Sequence, residues 1–220
     1  MLVDFRSSKM KIVFAADQHG ELCDPSKLDG DVLILGGDLC PDFINNPIAN
    51  GDVQKNWFVQ DFIPWAEKIK TDQILIGVGN HDFAFDYFLR EVNEYLEYHP
   101  KIKILIDKSI IIGGTNFYFT PWVPYLKNYV YSAAPEKMQL LRDMIPENIR
   151  VLVSHAPPYG ILDDPQHYGC KQLKERIKQL TEIELVLCGH CHADGGKQIT
   201  KDGIVYANAA RKIFKFDIYE

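Results

Sequence analysis

No stretch of this chain approaches the ~20 consecutive apolar residues of a membrane-spanning helix, and no run of Lys or Arg forms a stripe. The first absence argues against a membrane role. The second argues against a stable nucleic-acid complex, because a grip on phosphates relies on clustered cations and the formal net charge here is −6. A bound metal, however, supplies local positive charge that such a count misses. Cysteines are few. The five are an odd number at irregular spacing, which suits free thiols in a reducing compartment better than a disulfide framework. The segment Met1–Lys11 carries basic residues with no apolar stretch behind them, since Asp17 and His19 arrive too soon, so no signal peptide is read. The expected location is cytoplasmic. There is no solenoid-like repeat, no low-complexity segment and no composition shift that marks a linker. With 220 residues, 46% of them hydrophobic, the expectation is one domain over 1–220 with a sizeable core.

What is present begins with short apolar runs. Strands are expected at Lys11–Ala16, Val32–Leu35, Ile74–Val78, Lys103–Ile106, Ile110–Ile112, Phe117–Thr120, Arg150–Ser154, Leu185–Cys188, Ile204–Asn208 and Ile213–Ile218. Several are continuously apolar, the pattern of a strand covered on both faces. Helix patterns lie between them at Val53–Lys70 (despite Pro64), Asp86–Tyr98, Pro135–Met144 and Gln172–Leu180. The order is α/β, and two mixed sheets packed together with helices outside satisfy it. Two long loops are expected, at 40–52 and 156–169. The second directly follows His155 and reads as a functional rim; His167 within it is a candidate substrate contact.

Five clusters of metal-seeking residues punctuate the chain: Asp17-Gln18-His19, Gly37-Asp38, Gly79-Asn80-His81-Asp82, Ser154-His155-Ala156 and Gly189-His190-Cys191-His192. Each follows an apolar run, so each is expected where a strand gives way to a loop, the place where sites collect in α/β sheets. Residues at i and i+2 of extended chain share a face, so Asp17 with His19, and His190 with His192, each aim two ligands at one spot. Asp17, His19, Asp38, Asn80, His155, His190 and His192 supply ligands enough for two ions. The mix of imidazole, carboxylate and amide suits manganese first, with iron, zinc, cobalt or nickel as alternatives. Taken singly, Asp-x-His is mostly chance and Gly-Asp mostly a turn; the conjunction in this order is specific. A rival reading takes Cys188-x-x-Cys191 as half of a structural zinc site, but no second cysteine pair completes it.

These clusters resemble the five signature blocks of the calcineurin-like metallophosphoesterase superfamily, and the match runs from Asp17 to His192. The resemblance implies a four-layer αββα sandwich of two mixed β-sheets flanked by helices, built around a dinuclear metal centre. It implies Asp17, His19, Asp38 and His192 on one ion and Asp38, Asn80, His155 and His190 on the other, with Asp38 bridging. It also implies His81 beside the substrate, oriented by Asp82. Protein Ser/Thr phosphatases of that superfamily carry Asp-Arg-Gly after the second block and Arg after the third. This chain has Leu39-Cys40-Pro41-Asp42 and Phe83-Ala84 there, so protein phosphatase activity is not expected. The run Ser154 to Gly160, followed by Gly169, is similar to a small single-domain branch that includes enzymes acting on cyclic nucleotides and other phosphodiesters.

The expectation is therefore a dinuclear phosphoesterase that hydrolyses small phosphodiesters, cyclic nucleotides being the first to try, by a hydroxide bridging two divalent ions. His81 and Asp82 are its catalytic pair. A phosphomonoesterase or a nuclease on the same centre is the alternative, and a metal-binding interaction protein without turnover is the alternative from another class. A small phosphate ester is the expected partner, with no membrane; oligomeric state is not legible.

Overall fold

The computed structural model describes residues 9–42 and 47–219, with the side chains of 47 and 48 left aside. The signal-peptide reading at Met1–Lys11 falls mostly outside these residues, and so does part of the loop expected at 40–52.

Thirteen strands and six α-helices are found among the described residues. In chain order they are β1 (Lys9–Ala15), β2 (Val32–Gly36), α1 (Pro47–Trp57), α2 (Ile63–Ala66), β3 (Gln73–Gly77), α3 (Phe83–Tyr87), α4 (Leu89–Leu96), β4 (Ile102–Leu105), β5 (Lys108–Ile112), β6 (Thr115–Thr120), β7 (Val123–Pro124), β8 (Ser132–Ala133), α5 (Pro135–Asp143), β9 (Val151–Ser154), α6 (Lys171–Ile177), β10 (Leu185–Cys188), β11 (Lys197–Lys201), β12 (Ile204–Asn208) and β13 (Ile213–Tyr219). One sheet runs β13-β1-β2-β3-β4 and the other β11-β12-β10-β9-β6-β5. Both are mixed. β1 is antiparallel to β13 and parallel to β2; β9 is parallel to β6 and β10, while β5 and β11 are antiparallel edges.

Alternation along the strands builds the layers. Ile12, Phe14, Val32, Ile34 and Leu75 of the first sheet meet Phe117, Phe119, Val151, Val153, Leu185 and Leu187 of the second in a shared core. The opposite face of the first sheet, with Val13, Leu33, Leu35, Ile74 and Ile76, packs on Phe58, Phe62, Trp65 and Phe85 from its helical layer. The opposite face of the second sheet, with Tyr118, Leu152 and Val186, packs on Met138, Leu173 and Ile177 of α5 and α6. Burial on both faces explains the unbroken apolar runs of β2 and β10. The αββα sandwich of two mixed sheets flanked by helices is the observed fold.

The differences from the sequence reading are local. The helix expected at Val53–Lys70 starts earlier, at Pro47, inside what had read as loop. It then widens into a π-helical turn at Phe58–Phe62, where Ile63 N–H donates to Phe58 O five residues back. Pro64 has no N–H and its ring crowds the preceding turn, which is the cause of the widening. The helix expected at Asp86–Tyr98 breaks at Phe88, whose φ of −129° is not helical. β11, Lys-Gln-Ile-Thr-Lys, is exposed along its whole length and had no apolar face to announce it. It is a lysine-flanked edge strand, a composition that discourages pairing with other chains.

Candidate metal centre

The carboxyl ends of β1, β2 and β3 in one sheet and of β9 and β10 in the other lie along one edge, and backbone hydrogen bonds stitch the loops there. Asp17 N donates to Gly37 O at 2.9 Å, His19 N to Asp38 O at 3.0 Å and Gly189 N to His155 O at 3.0 Å. Asp17, His19, Asp38 and His190 all have left-handed φ, at 58°, 45°, 51° and 64°. Such conformations are unfavourable for residues with a Cβ and persist where surrounding structure enforces them, typically at functional sites. Two glycines make the approach possible. A Cβ at Gly189 would collide with the Asp17 carboxylate, and one at Gly79 with that of Asp38.

The seven expected ligands are brought together, in two groups. Asp17, His19 and His192 place ligand atoms within 4.8 Å of one another, and so do Asp38, His155 and His190. Asn80 joins the second group, its Oδ1 lying 3.2 Å from His155 Nε2. Asp38 stands between the groups, with Oδ2 at 3.2 Å from His155 Nε2 and 3.9 Å from His19 Nε2. Its Oδ1 accepts from His81 N at 2.8 Å. The Asp17 carboxylate accepts from His190 N at 3.0 Å, and its Oδ1 lies 3.1 Å from His192 Nε2. His155 turns Nδ1 to Gly36 O at 3.0 Å, which leaves Nε2 facing the centre.

The protonation states fit cation binding. Burial, reinforced by the charge of His155, pushes His190 down to about 4. Burial also lowers His19. Both are then neutral imidazoles, the form that binds metal. Burial opposes the charged form of His155, but the carboxylate of Asp38 outweighs it and lifts the imidazole to about 9. Burial likewise opposes ionisation of Asp38, and the facing histidines nevertheless hold it well below the usual carboxylate range. A proton on His155 thus occupies the place a cation would take. His19 Nε2 is buried with no hydrogen-bond partner. Such an atom costs free energy unless something outside the protein completes it. The oxygen and nitrogen donors fit two divalent ions.

Beside this centre stands a third group, His19, Asp42 and His81. His81 Nδ1 meets Asp42 Oδ2 in a very short contact. Asp42 in turn accepts from Asn50 Nδ2 at 3.2 Å. Burial lowers the His81 pKa, but the hydrogen bond its ring donates to Asp42 and the charges of Asp38, Asp42 and Asp82 outweigh it and raise it. Gln54, wholly buried, donates to Pro41 O at 3.0 Å and His81 O at 2.8 Å while accepting from Ala84 N at 3.0 Å, so it clamps these two loops together. Tyr129, 42% exposed, packs its ring 4.7 Å from that of His81.

Asp82 does not orient the His81 ring; that place is taken by Asp42. The Asp82 carboxylate accepts from Cys40 N and Gly79 N, both at 2.8 Å. It is fully buried, and burial together with the charge of Asp38 lifts it to about 7. The reason is steric direction. Asp82 follows His81 directly, so its side chain leaves the turn on another side and meets the backbone of the second and third blocks. His167 lies 3.1 Å from Asp163 and packs on Tyr159, with its side chain 51% exposed. It joins none of the three clusters. Cys188 and Cys191 are buried and free, and burial raises both thiols; among the described residues neither belongs to a candidate metal cluster.

Asp42, Asn50, Gln54 and Tyr129 were not singled out for these roles by sequence. Asp42 had a local signal, four residues past Asp38. Gln54 and Asn50 sit on α1, and only tertiary contact reveals them.

The model of the calcineurin-like phosphoesterase family matches residues 10–194. The chain is 25% identical to human Metallophosphoesterase domain-containing protein 1 over 228 residues, covering 91% of this chain and 65% of that protein. It thus spans a little under two thirds of that relative's length. One solved structure superposes with a TM-score of 0.71 at 14% identity, covering 96% of this chain and 95% of the other. A dimetal phosphatase from Danio rerio superposes with a TM-score of 0.53 at 10% identity, covering 90% and 86%. At such identities these two likenesses speak for the fold alone.

Proposed function

The chain belongs to the calcineurin-like phosphoesterase family, and on that premise we propose that it hydrolyses small phosphate esters, diesters in preference to monoesters, with two divalent ions, manganese foremost. The observation that carries this reading is the position of Asp38, whose one carboxylate faces His155 on one side and His19 on the other, 3.2 and 3.9 Å away. When bound, two divalent ions supply Lewis-acid charge for the phosphoryl oxygens and a water acidified to act near neutral pH.

The chain's own residues do the rest. Asp17, His19, Asp38 and His192 hold one ion, and Asp38, Asn80, His155 and His190 the other. His81 presents Nε2 4.0 Å from Asp38 Oδ2, at the border of the centre. With Nδ1 committed to Asp42, the raised pKa of His81 keeps a proton on Nε2 for the departing ester oxygen. Asp42 fixes the tautomer and ring plane. Asp82 and Gln54 hold the blocks in register.

Support for the diester preference lies in charge. Among the described residues, no Lys or Arg forms an ion pair with Asp17, Asp38, Asp42 or Asp82; their ion-pair partners are histidines. A dianionic monoester asks for cations beyond the metals, whereas a diester carries one negative charge. Cyclic nucleotides are the first natural compounds to try. The five free thiols fit a reducing, cytoplasmic setting, and among the described residues no helix is long and apolar enough to cross a membrane.

The test compares bis-para-nitrophenyl phosphate with para-nitrophenyl phosphate on protein reconstituted with each metal in turn, uncatalysed rates subtracted. A higher kcat/KM on the diester, repeated with natural nucleotides, is expected. A strong preference for the monoester overturns the diester reading, and absence of turnover on any ester overturns the enzyme reading.

A further inference from the structure

We infer that Arg211, 19 residues beyond the last signature histidine, is a substrate-binding residue that holds a phosphoryl oxygen on the His192 side of the centre. The inference rests on the phosphoesterase reading above and deepens it.

The placement follows from strand register. After β12 the chain makes an isolated parallel bridge, Ala16 to Ala210. Arg211 N then donates to Ala16 O at 2.9 Å. Asp17 and Arg211 each directly follow this bridge, and both line one cleft. Both residues take the same left-handed turn, with φ of 58° and 56°. The Arg211 side chain therefore borders the same cleft as Asp17, a member of the group formed by Asp17, His19 and His192.

It is also available. Among the described residues its one ion pair runs to Glu21, with Nη1 to Oε1 at 3.8 Å, and the two side chains are 52% and 79% exposed. A contact that long and that wet holds the guanidinium weakly. A planar guanidinium is well matched to phosphate oxygens, to which it can donate two parallel hydrogen bonds. The cleft has a volume of about 480 Å³, and Gln18, Glu21, Leu22, Trp65 and a second cation, Lys212, help to line it. An anion seated beside Asp17 thus meets a cation that comes from outside the five blocks.

The experiment uses the manganese-loaded protein and its variants R211Q, R211K and E21Q. All replacement residues carry a Cβ as the originals do, so the left-handed backbone at 211 faces the same constraint in each. Inorganic phosphate binding is measured by calorimetry and as competitive inhibition, alongside KM and kcat for a diester; metal content and Tm are recorded for each protein. R211Q is expected to weaken phosphate about tenfold and raise KM similarly, with a smaller change in kcat and metal content intact. R211K should recover part of the loss, since it restores the charge but not the fork. E21Q removes the competing carboxylate and should tighten phosphate about twofold. Unchanged phosphate affinity and KM in R211Q, or loss of metal in step with loss of affinity, overturns the inference. If wild type binds phosphate and R211Q does not, yet wild type hydrolyses no ester, the enzyme reading falls while the role of Arg211 in anion binding stands.

Discussion

The two sheets make unequal contributions to the centre they share. The first sheet, through the ends of β1, β2 and β3, supplies every oxygen donor, Asp17, Asp38 and Asn80, with one imidazole, His19. The second sheet, through the ends of β9 and β10, supplies imidazoles alone, His155, His190 and His192. Each candidate metal group draws on both sheets, whereas the group of His19, Asp42 and His81 comes from the first sheet only. Cation binding is therefore coupled to the packing of one sheet on the other, and the proton-handling pair is not. Metal affinity and proton transfer should be separable by mutation.

The most severe test of that separation is Asp38→Asn. This carboxylate stands between the two metal groups, 3.2 Å from His155 and 3.9 Å from His19, and on the proposed reading it serves both ions, so its loss should drop the metal content from about two ions per chain to below one, with turnover falling to background. Elemental analysis of refilled protein reads this directly, and a variant that kept two ions would deny Asp38 its bridging place.

His81→Ala should be nearly as costly in turnover, by roughly 10²–10⁴, but with both ions retained, because its ring is bound to Asp42 rather than to the metal groups. Asp42→Asn should cost less and should move a pH profile. Asp42 raises the His81 pKa, so without it the limb that depends on protonated His81 should shift to lower pH. A profile that stayed in place would mean Asp42 does not govern that proton.

Asp82→Asn should act on stability more than on chemistry. An amide cannot accept from both Cys40 N and Gly79 N without turning its own N–H₂ towards one of them. A loss of about 1–3 kcal/mol is expected, read as a lowered Tm, with residual activity above that of His81→Ala. The opposite ranking would return Asp82 to the chemical step.

The smallest effect concerns the metal-free protein. His155, lifted to about 9, and Asp82, lifted to about 7, both bind protons more tightly in the folded chain than in the unfolded one. Their stabilisation is complete below the unfolded values, about 6.5 for His and 3.9 for Asp, and is lost as pH rises through the folded values. Below about pH 6.5 the lowered His190, which gains stability as pH rises from about 4, offsets the loss from Asp82, so chelated protein should lose Tm chiefly between about pH 7 and 9, through His155. Bound ions should flatten the slope, since they replace the proton at His155. A flat apo profile would show that the sheets approach without the His155–Asp38 pair.

The fold and the clustering of these candidate donors were largely legible in the residues themselves. Continuous apolar runs such as Val32–Leu35 and Leu185–Cys188 announce strands buried on two faces, and polar clusters directly after them announce a site at the strand ends. Those signals are local, so a linear reading carries them. The elements it placed poorly are those whose shape depends on a neighbour. The π-helical turn before Pro64 is seated against Phe85, and the exposed β11 is held by pairing with β12. The assignment of Asp42 rather than Asp82 to His81 is of the same kind. The family resemblance implied Asp82, but consecutive side chains leave a turn in different directions, and the carboxylate that meets the ring arrives from the end of another strand. Arg211 had no local mark at all, because the bridge from Ala210 to Ala16 that sets it beside Asp17 joins residues almost 200 positions apart. The sequence by itself determined which donors exist and that they sit at strand ends, since periodicity and composition act over a few residues. Only the packed sheets decided which donor faces which, because that depends on backbone register and side-chain direction across elements distant in the chain.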